Sequence, residues 1–243
     1  NWINIGGRSG HYFRALTEKI PFVCHGLSLN LGGIAPLDIK FLESVKQFIN
    51  THNIRVYSEH LSYCADEGHL YDLMPIPFTE EAIKYVSSRI KQAQEIIGER
   101  IAIENISYYA APFKKINEIE FINAVLDEAD CDLLIDINNI YVNSINHHYN
   151  SEDFMRLLPK ERIVYAHIAG HYNEAEDLLV DTHGSDVIDP VWALLKKSYE
   201  YFDVFPTLLE RDFNIPKLDK LLEEVGKIRL IQSAHMNEGH GNV

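Results

Sequence analysis

Thiols are scarce in this chain: three cysteines, Cys24, Cys64 and Cys131, occur among 243 residues. Their number is odd, their spacing is wide and no CxxC pair is present, so neither a disulfide framework nor a thiolate zinc site is indicated. Cys24 and Cys131 adjoin apolar runs and read as small core residues. Positive charge is also short. Lys and Arg total 22 against 36 Asp and Glu, a formal net charge of −14, which argues against a nucleic-acid backbone or an anionic membrane as the main partner. No uninterrupted apolar run approaches the ~18 residues of a membrane span, and no charged-then-apolar leader opens the sequence. These absences predict a soluble protein without an export signal, in a reducing, cytoplasmic setting.

What is present is a repeated strand ending. Six apolar segments each run into a residue able to bind a metal: Phe22-Val23-Cys24-His25, Arg55-Val56-Tyr57-Ser58-Glu59-His60, Ile101-Ala102-Ile103-Glu104, Leu133-Leu134-Ile135-Asp136, Val164-Tyr165-Ala166-His167 and Thr207-Leu208-Leu209-Glu210. The terminal residues are spaced by 35, 44, 32, 31 and 43 positions, the length of successive βα units. In a barrel of parallel strands, C-terminal strand ends converge on one face, where active sites sit. Three His, two Glu and one Asp brought together are the inventory of a metal centre with more than one ion.

Helical segments alternate with these strands. Pro36 to Asn50 carries a helix-period apolar stripe. Thr79 precedes Glu80 and Glu81 as an N-cap, and Gly98 closes that helix. Glu118 to Glu128 supplies another. Asp189-Pro190 reads as an N-cap followed by proline at the first helical position. Ile215-Pro216 opens the last helix, which Gly226 is expected to end. The sequence therefore predicts one α/β domain over 1–231, a TIM-type (β/α)8 barrel, followed by a mobile polar tail over 232–243. Only six of eight barrel strands are placed, and the glycine-rich stretch over 1–10 cannot supply two more. The first two strands are expected to be absent from the sequence as given.

Alone, each candidate ligand has a blander explanation. A histidine at a strand end is commonly a hydrogen-bonded structural residue, and an Asp or Glu there commonly caps the next helix. The joint pattern favours metal, because buried carboxylates are costly unless paired or metal-bound. Imidazole with carboxylate and no thiolate suits Fe, Mn or Zn. Further polar residues follow the same strands: Asn138 and Asn139 after Asp136, His171 four residues after His167, Asp181 with His183, and Asp212 two residues after Glu210. For Asp181 and His183, spacing leaves a ligand pair and a surface turn equally open. His52, His69, His147 and His148 fall in polar helix-end or loop contexts and read as solvated.

At these residues the chain resembles the DUF692 family, the multinuclear non-haem iron-dependent oxidative enzymes. The resemblance lies in His25-Gly26-Leu27-Ser28-Leu29, Ser58-Glu59-His60-Leu61, Leu73-Met74-Pro75-Ile76-Pro77, Glu104-Asn105, Asp136-Ile137-Asn138-Asn139-Ile140-Tyr141-Val142, His167-Ile168-Ala169-Gly170-His171, Asp181-Thr182-His183-Gly184 and Glu210-Arg211-Asp212, in the family's order. It implies a TIM-type barrel and two or three irons of mixed Fe(II)/Fe(III) state. By this resemblance His25 and His60 hold one iron, Asp136 and His167 a second, Glu104 and Glu210 are shared, and Asn139, Asp181 and His183 match a third, weaker position. His171, Asp212, Asn105 and Asn138 are implied as neighbours that orient ligands. The implied reaction is O2-dependent oxidation of a ribosomally made precursor peptide at cysteine, often with a small partner protein that presents the peptide.

Two other classes use similar residues. A divalent-metal-dependent isomerase or hydrolase on a xylose-isomerase-like barrel needs the same donors. A binding module with a structural metal needs only a closed, four-coordinate site, for which nine candidate ligands are too many.

Overall fold

The computed structural model describes residues 2–66, 68–111 and 113–240. They form an α/β fold whose contacts gather into two compact units, Asn1–Glu104 with Ala111–Asp132, and Asn105–Ala110 with Leu133–Val243. Residues 241–243 of the expected tail lie outside the described residues.

The first unit contains α1 (Gly7–Thr17), β1 (Cys24–Gly26), α2 (Ile39–His52), β2 (Tyr57–His60), β3 (Ser62–Ala65), β4 (His69–Pro75), α3 (Glu80–Ile97), β5 (Ala102–Glu104) and α4 (Glu118–Ala129). Strands β1, β2 and β5 are neighbours in that order and all parallel, with His25 opposite Ser58 and His60 opposite Glu104. Such strands are buried on both faces by crossover helices, which is why they read as continuous apolar runs. Ala102 and Ile103 are fully buried, as are Leu42, Val86, Ile90 and Val125 from the helices. Helix α3 begins where Thr79 Oγ1 accepts the Ala82 N–H at 3.1 Å, places Glu80 and Glu81 at the positive end of its dipole, and ends at Gly98 in the left-handed region. Strands β3 and β4 form an antiparallel hairpin after His60.

The second unit contains β6 (Asp132–Asp136), α5 (Ile137–Asn146), α6 (Ser151–Arg156), β7 (Ile163–Ile168), β8 (Tyr172–Ala175), β9 (Leu178–Val180), α7 (Asp189–Phe202), β10 (Thr207–Leu209) and α8 (Leu218–His240). Here β6, β7 and β10 are neighbours in order and parallel, with Asp136 opposite His167. Leu133, Leu134, Ile135, Val191, Leu195 and Tyr199 are buried in its core. Strands β8 and β9 form a second antiparallel hairpin. Among the described residues no helix is long and apolar enough to cross a membrane.

All six expected strands form, and the four inner helix placements hold to within a few residues. The differences have local causes. Helix α1 occupies part of the glycine-rich opening stretch, anchored by Phe13 against Phe22 and Phe48. Asp189 is the first helical residue and Ile188 the cap, so the acid serves the helix dipole without capping it. Helix α8 runs through Gly226 to His240. A mid-helix glycine costs only about 1 kcal/mol, and contacts on both sides outweigh it. Ile228 is buried, and Gln232 Nε2 donates to Tyr199 Oη and the Phe205 carbonyl, ordering residues expected to be tail. His52 is buried against Thr17 Oγ1, and His147 stacks on Tyr108 and bonds its carbonyl, so neither is solvated as its polar neighbours suggested.

Two substitutions test these supports. Thr79→Ala removes the α3 cap and is expected to cost about 1 kcal/mol, read as a lowered urea midpoint with an unchanged slope. Gly170→Ala would place a Cβ 2.1 Å from the Ser185 carbonyl oxygen and 2.5 Å from that of Asp186. Backbone cannot yield as a side chain can, so a loss of ~1–3 kcal/mol or more is expected in the same assay.

Candidate metal centre

In the first unit the parallel register does the assembling. His60 and Glu104 lie side by side on β2 and β5, and His25 lies across from Ser58, two residues before His60 on the same strand face. Their donor atoms meet. His25 Nε2 is 2.9 Å from Glu104 Oε2, His60 Nε2 is 3.2 Å from the same oxygen, and the two Nε2 atoms are 3.1 Å apart. Glu104 is 1% exposed. Ligands on an ion with bonds of ~2.0–2.1 Å sit roughly 3.0–3.4 Å from one another, so this spacing matches a shared ion.

The residues around this triad fix its orientation. The Ser58 hydroxyl donates to the Cys24 carbonyl at 3.4 Å and lies 2.7 Å from His25 Nδ1. A hydroxyl so oriented would accept from Nδ1–H and leave the Nε2 lone pair facing Glu104. Glu59, between the two, faces the other way. It is buried, takes a 2.5 Å hydrogen bond from Tyr57 Oη and bonds the backbone of Ser28 and Leu29. Burial pushes its carboxyl up, against the Tyr57 hydrogen bond and the His25 charge. Gly26 makes this possible, since a Cβ there would fall 2.0 Å from Glu59 Oε1. Glu59 thus ties down the loop after His25.

In the second unit, Asp136, His167 and Glu210 meet at the ends of β6, β7 and β10. His167 Nδ1 is 2.8 Å from Glu210 Oε2 and 3.8 Å from Asp136 Oδ2, with Asp136 and His167 fully buried. Asp136 also caps α5, its Oδ1 accepting the Asn139 N–H at 2.7 Å. The cap and the donor use different oxygens of one carboxylate. Asn105 holds the Asp136 backbone through two hydrogen bonds of 2.9 and 3.0 Å. Asn139 Nδ2 donates to the Asn105 carbonyl, while its buried Oδ1 has no hydrogen-bond partner among the described residues, the condition of an oxygen built to face a water or an ion.

Beside Glu210 stands a cage of acids around His183. Its Nε2 is 2.8 Å from Asp181 Oδ1, and its Nδ1 is 3.3 Å from both Glu210 Oε2 and Asp212 Oδ2. Burial pulls the imidazole down, but hydrogen bonds to Asp181 and Asp212 and the charges of Asp181 and Asp136 push it up to about 12. A protonated imidazole or a divalent ion at this position would face the same acids. Asp181 is held from behind by Ser107 Oγ and Asn138 Nδ2, both at 2.9 Å, and Asn138 Oδ1 lies 2.7 Å from His171 Nδ1. His171 is thus directed at Asn138. Burial lowers its basicity, against the Asp181 charge.

Three donor groups fit a metal by these tests: His25, His60 and Glu104; Asp136, His167 and Glu210; and His183, Glu210 and Asp212. Sequence reasoning did not single out Ser58, Glu59, Ser107, Arg211 or Glu224. Ser58 had a usable signal, because a polar residue two positions before a strand-end ligand shares its face. Ser107 and Glu224 come from a loop and a helix with no such spacing to the donors.

A family model described as RiPP precursor modification enzyme MbnB/TglH/ChrH matches residues 1–233. A UPF0276 protein of Shewanella loihica is 58% identical over 240 residues, covering 99% of this chain and 86% of that protein. Another, from Alcanivorax borkumensis, is 62% identical over 233 residues, covering 94% and 78%. Among solved structures, a D-tagatose 3-epimerase-like protein aligns with a TM-score of 0.62 at 16% identity, covering 95% of this chain and 86% of the other. A xylose isomerase domain protein from Planctomyces limnophilus aligns at 0.61 and 10% identity, covering 93% and 84%. At such identities these neighbours establish the fold alone, a TIM-type α/β barrel. The family rests on the sequence match across nearly the whole chain: this protein belongs to the MbnB/TglH/ChrH family of RiPP precursor modification enzymes.

Proposed function

We propose that the chain binds two or three iron ions and uses O2 to oxidise a ribosomally made peptide at cysteine. The observation that carries the metal reading is the meeting of His25 Nε2, His60 Nε2 and Glu104 Oε2 within 3.2 Å of one another. His25, His60 and Glu104 would hold one ion, and Asp136, His167 and Glu210 a second. Asn139, Asp181 and His183 would hold a third, more weakly. Family membership supports the peptide substrate, and the nitrogen–oxygen donor set suits iron. When bound, iron supplies an oxidising centre for O2 chemistry.

The chain's own residues supply orientation and shelter. Ser58 sets the His25 ring, Asn105 and Asn139 fix the Asp136 end of β6, and Ser107 with Asn138 holds Asp181. Burial of Glu104, Asp136 and His167 keeps bulk water from competing for these positions. A small partner protein presenting the precursor, and a reducing cytoplasmic setting that keeps the substrate thiol available, complete the proposal.

Anaerobic loading with Fe(II), followed by desalting and metal analysis, is expected to leave at least two irons per chain. His60→Ala should lose about one of them, with the melting temperature of the metal-free protein little changed. Exposure of the loaded protein to O2 and its cysteine-containing precursor should change the peptide mass. Retention of zinc alone, with hydrolytic or isomerising activity and an unaltered peptide, would overturn the proposal in favour of divalent-metal chemistry.

A further inference from the structure

The acid cage around His183 is braced from outside by a buried ion pair. Arg211 lies between Glu210 and Asp212, which both reach His183 Nδ1, and its own side chain turns to α8. There Arg211 Nη2 donates to Glu224 Oε2 at 2.9 Å and to Asp186 Oδ1 at 3.1 Å. Arg211 and Glu224 have side chains only 6% and 9% exposed. The second oxygen of Glu224 accepts the Val187 N–H at 2.9 Å, and the Val187 carbonyl accepts from Trp192 Nε1. One carboxylate on α8 thereby grips both the segment carrying Glu210 and Asp212 and the loop that follows His183.

The grip matters because His183 has an unfavourable backbone. Its φ is +47°, left-handed for a residue with a Cβ, and such a conformation persists only where surrounding contacts over-determine it. Those contacts come from the same two segments: the Asp212 N–H donates to the His183 carbonyl at 3.0 Å, and Asn214 Nδ2 to the Gly184 carbonyl at 3.1 Å. Loss of Glu224 would remove one of the loop's supports and leave Arg211 paired with the more exposed Asp186.

We propose that Glu224, through Arg211 and the Val187 amide, is a positioning residue that holds His183 in place for the third, weakly held ion. The inference rests on the metal reading above for its functional meaning, though not for its geometry. Glu224→Gln retains an acceptor for Val187 but turns an amide donor toward Arg211, so it breaks the pair with little change of volume.

Two measurements on the full chain test this. In metal-free protein labelled with 15N at histidine, the His183 ring signals of Glu224→Gln and of Arg211→Ala should shift, while those of His60 stay in place. In anaerobic Fe(II) titrations, both variants should lose ~10–100-fold in affinity at the weakest-held ion and keep the others. The double variant should be no worse than either single one. Lys220→Ala, which removes an exposed partner of Asp186, should leave both readouts at wild-type values. Unchanged His183 signals would overturn the positioning role whatever the metal result. So would a loss spread equally over all ions in step with the melting temperature. A wild-type chain that binds no Fe(II) while its His183 signals still respond to Glu224→Gln would overturn the metal reading and leave the brace standing.

Discussion

The structure is organised by the need to compensate charge at buried strand ends. A carboxylate removed from water costs several kcal/mol unless it is paired or coordinated. Glu104 and Asp136 sit almost wholly out of solvent, each beside imidazole nitrogens within 4 Å. A proton on the carboxyl, a protonated histidine or a cation can balance each of them. At His183 burial pulls the imidazole's basicity down, while hydrogen bonds to Asp181 and Asp212 and the charges of Asp181 and Asp136 push it up. Burying so many acids and imidazoles together makes their charge balance depend on close geometry. That requirement explains why so much neighbouring structure serves to hold these side chains still.

The holding follows one rule in both units. Along an extended segment, side chains alternate faces, so a donor's neighbours are free to act as braces on the other side. Glu59 lies between Ser58 and His60; the donor side keeps the imidazole, while the other side buries a carboxyl that ties the loop after His25. Arg211 lies between Glu210 and Asp212 in the same manner and ties that segment to α8. Asp136 compresses the rule into one residue, with one oxygen capping α5 and the other facing His167. Position and rigidity thus come from the same short runs of sequence that supply the donors.

This economy explains what could be read from the sequence. The apolar runs ending in His25, His60, Glu104, Asp136, His167 and Glu210 announced both the strands and the donors, because strand period and ligand chemistry coincide at the same residues. The cap at Thr79 and the stop at Gly98 were legible for a similar reason: each acts on backbone within one helical turn. What was not legible depends on distant partners. Nothing near Gly226 reveals that Tyr199 and Phe205 will fasten Gln232 and carry α8 onward. Nothing near Glu224 reveals Arg211, 13 residues away. The hairpin of β8 and β9 is exposed along most of its length, so it lacks the buried face from which strand period is read. Histidines misled where an aromatic or hydroxyl partner lay far off in sequence, as with His147 stacked on Tyr108.

The placement of cysteine bears on which chemistry the donors serve. No thiol belongs to any of the three donor groups. Cys24 precedes His25 directly, yet alternation turns it away, and burial followed by the Glu59 charge pushes its thiol up to about 11. Cys64 is buried and is likewise pushed up by burial and Glu59, and Cys131 is buried. A thiolate is the soft, strongly binding ligand, and the protein keeps its own thiols either protonated or remote from the donors. The donor groups are thus built from nitrogen and oxygen alone, the set that suits Fe, Mn or Zn and that a divalent-metal isomerase would share.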